Sequence, residues 1–350
     1  MNVRKHLLRG QVIPAHPLAL TAQRRLDERR QRALTRYYVA AGAGGVAVGV
    51  HTTQFAIRDP HVALYGPVLE LAAQTARESL ASSPRPFALI AGAVGTTTNA
   101  VAEAETAARL GYDAVLLSLG AWQNAAELKI LDHCRAVAGV LPLFGFYLQP
   151  AVGGRVLSYA FWREFAEVEN VWAIKVAPFD RYKTLDVVRA VAAAARDDIA
   201  LYTGNDDSIV VDLLTSFPAE SSGRETTRQI VGGLLGQWAV WTRGAVRLLD
   251  RVRAARSSAT IDAHWLGLAA ALTDANGAIF DAANAFVGCI PGIHEILRRQ
   301  GLLCGTWCLE PRETLSPGQA EELDRVSRRY PFLAAEDDEL VRDNLDAWLR

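Results

Sequence analysis

The stretch N-V-W-A-I-K-V-A-P-F-D, residues 170–180, is an apolar run interrupted by one charged side chain, Lys175. A continuous apolar run of this length predicts a strand of a parallel sheet that is covered on both faces. Lysine is almost never fully buried unless it is paired. Lysine is also rare in this chain, since only four of the 37 Lys and Arg residues are lysines.

Two interpretations of Lys175 follow from the residues alone. A buried lysine can lower its pKa and become a nucleophilic amine, whereas an arginine stays charged. Alternatively, the lysine lies at a strand edge, packs its apolar stem against the protein and keeps its ammonium group in water. The composition leaves both interpretations open.

Seven further apolar runs predict strands of the same type, at residues 11–20, 45–53, 87–95, 114–120, 141–149, 199–205 and 229–238. Apolar residues spaced i, i+3, i+4 predict helices between them, at residues 24–41, 62–80, 100–110, 125–138 and 184–195. Asp59-Pro60 is expected to supply the N-cap and first-turn proline of the second helix. Eight strand-then-helix units predict an α/β fold, the (β/α)8 TIM barrel. A doubly wound sheet is disfavoured, because no strand is followed by a glycine-rich turn that opens a helix.

Only helices are expected after the barrel, at residues 264–274, 277–300, 316–329 and 337–350. We therefore predict a barrel domain over residues 1–254 and a C-terminal helical bundle over residues 255–350. The acidic run 336–339 is expected to be a solvated helix start, where acidic residues suit the helix dipole. His294-Glu295 lacks the second histidine of a metalloprotease helix, so we interpret it as surface.

The composition excludes several classes of protein. The chain has 350 residues, of which 50% are hydrophobic and 21% charged, with a net charge of -1. No basic stripe points to nucleic acid, and no apolar run reaches the roughly 18 residues of a membrane span. The start lacks the apolar stretch of a secretory signal. Cys304 and Cys308 have no nearby histidine that would complete a metal site. We expect a cytoplasmic protein with no metal, no cofactor, no nucleic-acid partner and no membrane contact.

The chemistry is expected at the carboxyl ends of the barrel strands, where active sites of this fold lie. A desolvated lysine there can attack a ketone and form an iminium, as in Schiff-base catalysis. Hydroxyls and backbone amides can hold the carboxylate of a 2-oxo acid, and a phenol can move protons. Asp207, after the seventh strand, is interpreted as a helix N-cap. The candidate residues at the strand ends are Thr52, Thr53, Gln54, Trp122, Tyr147, Gln149, Lys175, Gly204 and Asn205.

The ordered set of motifs resembles the dihydrodipicolinate synthase / N-acetylneuraminate lyase superfamily of pyruvate-dependent class I aldolases. G-V-H-T-T-Q at residues 49–54 lies where the family has G-T-T-G-E, and F-Y-L-Q-P at 146–150 is similar to its Y-N-x-P. A-I-K at 173–175 resembles the family's I-K, and G-N-D-D at 204–207 its G-D-D. P-G-I-H-E-I-L-R-R-Q-G-L at 291–302 resembles its proline-to-lysine helix.

The resemblance implies a role for individual residues. Lys175 would be the Schiff-base lysine and Tyr147 the phenol that relays protons. Thr52 and Thr53 would bind the pyruvoyl carboxylate. The family fold is a barrel with a C-terminal helical bundle, which implies a homodimer or homotetramer.

The departures from the family pattern indicate a divergent member, not a typical dihydrodipicolinate synthase. Ala121-Trp122 occupies the place of a second relay tyrosine, and Val152 the place of a substrate-binding arginine. Val176 and Pro178 replace a Glu and a Ser/Thr after the lysine. Trp122-Gln123 is similar to the hydratase-aldolase branch that handles aryl pyruvate adducts, although Trp122 can equally be a packing or interface residue.

The function predicted from these residues is a lyase that acts on pyruvate or a 2-oxo-3-deoxy acid. The same lysine iminium would serve carbon–carbon cleavage, condensation or dehydration. One alternative is a hydratase-aldolase of aryl pyruvate adducts, and another is a non-catalytic descendant that binds a metabolite or regulates. The expected substrate contacts are Thr52, Thr53, Gln54, Trp122, Gln149, Gly204 and Asn205, with Arg58 as a further contact to the distal part.

Overall fold

Parallel strands close a barrel in the computed structural model, which describes residues 2–350. The strands are β1 (Val12–Pro14), β2 (Gly45–Val48), β3 (Ala88–Ala93), β4 (Ala114–Leu117), β5 (Leu143–Leu148), β6 (Val171–Ala177), β7 (Ala200–Thr203), β8 (Ser216–Ser221) and β9 (Arg224–Leu235). The strand order is β1-β9-β7-β6-β5-β4-β3-β2, and each neighbouring pair in it is parallel. A bridge between Ala15 and Ala47 joins β1 to β2 and completes the ring.

All eight predicted strands are confirmed as barrel strands, and the TIM barrel with them. Strand β8 was not predicted; it forms an antiparallel hairpin with the first half of β9. Only Phe217 of its sequence S-F-P-A-E-S is buried, so it lacks the apolar run that identified the others. The turn places Ser222 and Gly223 at positive φ, as tight hairpin turns do.

The helices are α1 (Val3–Leu8), α2 (Glu28–Ala41), α3 (Tyr65–Leu80), α4 (Thr97–Arg109), α5 (Glu127–Ala138), α6 (Tyr159–Phe165), α7 (Arg181–Ala193), α8 (Ile209–Leu214), α9 (Thr242–Arg256), α10 (His264–Ile279), α11 (Cys289–Arg299), α12 (Gln319–Arg329) and α13 (Ala335–Trp348). The sequence did not single out α1, α6, α8 or α9. The first three are six or seven residues long, which is too short for a helical period to be recognised. Within residues 2–350, no helix has the length and apolar character needed to cross a bilayer.

Asp59-Pro60 does not begin a helix, so this prediction is wrong. The Asp59 carboxylate accepts a hydrogen bond from the backbone N–H of His61 at 2.8 Å and closes a turn. Helix α3 begins later, with Leu64 as its N-cap. Such a local side-chain bond competes with the helix, which is why Asp favours turns as well as N-caps.

The predicted helix at 277–300 is broken in the structure. Helix α10 ends at Ile279, and α11 begins only at Cys289. In the break, the Asp281 carboxylate accepts from Gly288 N at 2.9 Å, from Asn284 Nδ2 at 2.6 Å and from Ser316 Oγ at 2.5 Å. This buried carboxylate stabilises a non-helical segment, and the segment carries two phenylalanines to the mouth of the barrel.

Two C-terminal residues that belong to motifs interpreted as solvated, Asp337 and His294, are buried. Asp337 lies in the first turn of α13 as expected, but it is 0% exposed and joins α13 to α2 and α9. It accepts from Tyr37 Oη at 2.5 Å, Arg243 N at 2.8 Å and Gly244 N at 2.9 Å. His294 is also 0% exposed. The surface interpretation fails because α11 packs most of its length into the protein.

The barrel interior is packed with apolar side chains, and its amino end is closed by α1. Leu7 of α1 is fully buried in the interior cluster. Its carbonyl oxygen accepts a hydrogen bond at 2.8 Å from the hydroxyl of Tyr202, which points inward from β7. The interior therefore opens at the opposite end, where the carboxyl ends of the strands meet.

Candidate active site

A pocket lies at the carboxyl end of the barrel, where the fold predicts it. Its cavity volume is about 70 Å³. Strand ends and strand-to-helix loops form the floor and one wall, and the segment between α10 and α11 forms the other wall. The lining side chains used below are His51, Thr52, Phe146, Gln149, Lys175, Phe179, Asp206, Phe280, Phe286 and Cys289, together with Gly204.

Lys175 lines this pocket, which favours the first of the two interpretations of its place in β6. Burial lowers the pKa of Lys175 below the ordinary lysine value, while the negative charge of Asp206 opposes that shift. The amine Nζ lies 4.5 Å from the ring centroid of Phe146. An amine held in such surroundings is neutral, and therefore nucleophilic, over a wider pH range than a surface lysine.

Gly204 lies in the pocket as predicted, and its lack of a side chain makes room for Lys175. A Cβ at this position would lie 2.6 Å from Lys175 Cε and 2.7 Å from the Cβ of Ala177. Glycine is therefore required at the end of β7 by the close approach of the lysine stem.

The structure does not bring Tyr147 together with Lys175. In β5 and β6, Phe146 is paired with Lys175 and Tyr147 with Val176, so Tyr147 points outward to the helices. Its hydroxyl donates to the carbonyl oxygen of Leu157 and accepts from its N–H, both at 3.2 Å. Its ring packs on Trp162, with 5.1 Å between the centroids. Phe146, its neighbour in β5, is the residue whose side chain faces the Lys175 amine.

The two threonines differ in position. Thr52 lines the pocket, and its hydroxyl donates to the carbonyl oxygen of Ala15 at 2.8 Å. The Thr53 hydroxyl donates to His16 O at 2.7 Å and accepts from Gly49 N at 3.0 Å. Thr53 is fully buried and ties the loop after β2 to the end of β1. Thr52 therefore faces the pocket, whereas Thr53 holds the loop that presents it.

Gln149 lines the pocket as predicted, but Gln54 does not. Gln54 is buried, and its Oε1 accepts a hydrogen bond from the backbone N–H of Leu309 at 2.6 Å. This bond joins the loop after β2 to the C-terminal region. Gln54 is thus a packing residue in this structure.

Asn205, Trp122 and Arg58 also lie outside the pocket lining. The Asn205 amide is satisfied by Phe179 N at 3.0 Å and by the Asp212 carboxylate at 2.9 Å. The indole N–H of Trp122 donates to Gly95 O at 3.1 Å, which supports its interpretation as a packing residue. Arg58 forms an ion pair with Glu103 at 2.8 Å and also donates to backbone carbonyls. Each side chain uses its polar atoms to join loops.

Asp206 lines the pocket, although it is not among the site residues predicted from the sequence. It follows β7 and lines the same pocket as Lys175. Burial raises the pKa of Asp206, opposed by the positive charge of Lys175. The expected N-cap role for its neighbour Asp207 is wrong, since Ser208 is the N-cap residue of α8. The adjacent Asp-Asp pair was the available signal, but only the barrel geometry shows which of the two points inward.

The remaining unpredicted pocket residues come from the loop after β2, the loop after β6 and the C-terminal segment. Burial and the charge of Lys175 lower the pKa of His51 to about 4, so this imidazole is neutral near pH 7. Phe179 and Phe286 face each other edge to face, 6.1 Å between centroids. Together with Phe280 they make the outer wall apolar. Within residues 2–350, no cluster of His, Cys, Asp and Glu is arranged to hold a metal ion.

The chain is similar in sequence to known proteins. The model of the Dihydrodipicolinate synthetase family matches residues 9–222. The 4-hydroxy-tetrahydrodipicolinate synthase of Moorella thermoacetica is 28% identical over 210 residues, 59% of this chain and 66% of that protein. The N-acetylneuraminate lyase of Citrobacter koseri is 29% identical over 230 residues, 64% of this chain and 71% of the lyase. The chain thus spans about two thirds of the length of these relatives.

A solved structure extends the comparison to the fold of almost the whole chain. The chloride-inhibited dihydrodipicolinate synthase from Acinetobacter baumannii, complexed with pyruvate, aligns with a TM-score of 0.72 at 17% identity. The alignment covers 91% of this chain and 98% of that one. At this identity the similarity shows the shared barrel fold. With the family model matching more than half of its length, the chain belongs to the Dihydrodipicolinate synthetase family.

Proposed function

We propose that this protein is a lyase that forms a Schiff base between Lys175 and a 2-oxo acid. The observation that carries the proposal is the position of the Lys175 amine, which lies in an apolar pocket at the carboxyl end of the barrel. Family membership adds support, because relatives include a synthase and a lyase. The pyruvate held by a structural neighbour suggests the substrate class.

The pocket residues divide the work of binding and activation. Neutral Lys175 attacks C2 of the 2-oxo acid, and the loss of water leaves an iminium. Thr52 and Lys175 line the same pocket, and the backbone amides of the loop that carries Thr52 would orient the substrate carboxylate. The apolar walls exclude water, which keeps the amine neutral and the iminium protected.

The side chains of the pocket walls indicate the chemistry of the part of the substrate beyond the pyruvoyl group. Phe146, Phe179, Phe280 and Phe286 line the pocket, whereas the predicted polar contacts Gln54, Asn205 and Arg58 lie elsewhere. Such a lining favours an apolar or aryl substituent over a polyhydroxylated chain. An aryl pyruvate adduct is therefore the second candidate beside a sugar-derived 2-oxo-3-deoxy acid.

Borohydride reduction in the presence of pyruvate tests the proposal. The iminium is reduced to a stable secondary amine, so the intact mass of the chain increases. We expect the adduct in the wild type and in Lys183→Ala, a matched control lysine on the exposed side of α7 that pairs with Asp186. We expect none in Lys175→Ala. A wild type that remains unmodified supports the non-catalytic alternative.

Two further expectations are part of the proposal. We propose that the chain assembles as a homodimer or homotetramer, which light scattering on the eluting protein tests. We also propose a division near residue 254, between a barrel domain and a C-terminal helical region. Since Phe280, Phe286 and Cys289 line the pocket, deletion of the helical region is expected to abolish adduct formation.

A further inference from the structure

We propose that Asp206 is the group that transfers protons in the Schiff-base reaction, the role that the family resemblance implies for Tyr147. This inference rests on the proposed function of Lys175. It concerns which side chain gives and takes the protons once the 2-oxo acid is bound.

The two hydroxyl groups predicted to take part, those of Tyr147 and Thr52, are already engaged. The Tyr147 hydroxyl lies outside the pocket and bonds to the backbone of Leu157. The Thr52 hydroxyl donates its proton to Ala15 O at 2.8 Å, within the backbone of the barrel rim. Neither group is placed to pass a proton to and from a molecule bound at Lys175.

The other titratable groups of the pocket are fixed in one protonation state near neutral pH. His51 has its pKa lowered to about 4 by burial and by the charge of Lys175, so it remains neutral. Burial raises the pKa of the Cys289 thiol, so it remains protonated. Proton transfer in both directions needs a group whose two forms are both populated at the working pH.

The Asp206 carboxyl is held in the pocket with an oxygen left free. The backbone carbonyl of Asp206 accepts a hydrogen bond from Asn276 Nδ2 at 2.7 Å, and the backbone carbonyl of Asp207 accepts one from Thr273 Oγ1 at 2.7 Å. Helix α10 therefore fixes this loop. Within residues 2–350, the buried Oδ1 of Asp206 has no hydrogen-bond partner.

The nearby Asp212 shows how this protein compensates a buried carboxylate that serves the structure. Asp212 forms an ion pair with Arg181 at 2.6 Å and accepts from Thr203 Oγ1 at 2.6 Å and Asn205 Nδ2 at 2.9 Å. A buried carboxylate without such partners is costly. The unpartnered oxygen of Asp206 therefore points to a ligand atom that it would contact.

Electrostatics give Asp206 the two forms that the role requires. Burial and the neighbouring Asp207 raise its pKa, while Lys175 lowers it. His51 and Cys289, which face the same pocket from the loop after β2 and from α11, are neutral and do not reverse this. A carboxyl shifted upward from its ordinary range can act as an acid and then as a base.

Every proton that Asp206 gives up in the reaction is returned to it. The Lys175 amine adds to C2, and one of its protons moves to the oxygen to give a neutral carbinolamine. Protonated Asp206 gives its proton to the departing hydroxyl, so that water leaves and the iminium and the Asp206 carboxylate remain. The carboxylate then removes a proton from C3 of the iminium. The C–H electron pair forms the enamine, the iminium nitrogen becomes neutral and Asp206 is protonated again.

Exchange of the pyruvate methyl protons with deuterium tests this step. In D2O the enamine recovers a deuteron at C3, so proton NMR reports proton transfer without needing an aldehyde partner. We expect Asp206→Asn to reduce the exchange rate at least about 100-fold, while borohydride still traps an adduct at Lys175 after long incubation. Glu225→Gln, which removes an exposed carboxylate on the hairpin of β8 and β9, outside the pocket, is expected to exchange as the wild type does.

The outcomes separate the inference from the proposed function. If the wild type forms no adduct, the Schiff-base function itself is wrong. If the wild type forms the adduct and Asp206→Asn exchanges at the wild-type rate, Asp206 does not transfer the proton. A second variant, Asp206→Ala, is expected to regain exchange on addition of formate or acetate. A slow variant that neither acid restores would indicate a positioning role and would overturn the inference.

Discussion

Phe146 and Lys175 face each other across β5 and β6, with the lysine amine 4.5 Å from the centroid of the phenyl ring. The ring helps to desolvate the amine, and its π face stabilises the residual positive charge. The hydroxyl that the neighbouring Tyr147 carries is directed to the opposite side of the strand. This pairing decides which residues of β5 can take part in the reaction.

Tyr147→Phe is expected to leave pyruvate adduct formation and methyl exchange unchanged. The lost hydroxyl bonds to the backbone of Leu157, so the variant should lose roughly 1 kcal/mol of unfolding free energy. Urea unfolding and the NMR exchange assay measure the two effects. Tyr182→Phe is the control, because Tyr182 is 80% exposed. Loss of exchange in Tyr147→Phe with the adduct intact would return the phenol to the mechanism.

Gly204→Ala is expected to reduce the rate of adduct formation strongly. The new Cβ would lie 2.6 Å from Lys175 Cε, so the lysine stem must shift and the amine moves away from its position in the pocket. Gly66→Ala is the matched control, since nothing lies within 4 Å of a Cβ built there. Timed borohydride trapping measures both variants. Equal rates in Gly204→Ala and the wild type would contradict the position of the lysine.

Lys175→Met is expected to unfold at a higher urea concentration than the wild type near pH 7. Burial lowers the pKa of Lys175 in the folded protein, so between the folded and unfolded pKa values the unfolded chain binds more protons. Stability of the wild type therefore rises with pH in that interval. The variant, which lacks this group, should gain about 1 to 3 kcal/mol below the folded pKa. The difference should narrow as the pH rises toward the ordinary lysine value.

Urea unfolding at several pH values between neutral and alkaline measures this difference. Lys183→Met is the control, because Lys183 is a half-buried lysine on α7 outside the pocket. A Lys175→Met variant that is less stable than the wild type at every pH would show that the lysine is not desolvated.

Asp337→Ala is expected to lose about 2 to 4 kcal/mol of unfolding free energy while a folded population still forms the adduct. The change leaves three donors unpaired, namely the buried Tyr37 Oη and the half-buried Arg243 N and Gly244 N. Glu339→Ala, on the exposed side of the same helix, should change stability by less than about 0.5 kcal/mol. Equal effects of the two substitutions would restore the solvated interpretation of the acidic run.

The apolar runs predicted the barrel because every barrel strand is covered on both faces, a property that local sequence records. Local sequence does not record which residue of β5 faces the barrel interior beside Lys175. The pairing of β5 with β6 shifts register between Leu143 and Phe144, and a shift of one residue exchanges the two faces of a strand. Motif similarity selects Tyr147, whereas the shifted strand presents Phe146.

The remaining pocket residues depend on long-range contacts. Asp206 and Asp207 are equivalent in the sequence, and the bonds from α10 to their carbonyls hold the loop in which Asp206 points inward. Phe280 and Phe286 reach the pocket only because Asp281 stabilises the break between α10 and α11. Helical periodicity contains no signal for a break that is stabilised by a serine 35 residues further along the chain.

The most direct test of the proposed Schiff base is to identify the lysine whose imine with pyruvate is reduced by sodium borohydride. The reduced protein would be digested and its modified lysine located by tandem mass spectrometry. We expect one pyruvate per chain on Lys175 and none on Lys5, Lys129 or Lys183 at a pyruvate concentration that saturates adduct formation. A label spread over the surface lysines, or no label at all, would contradict it.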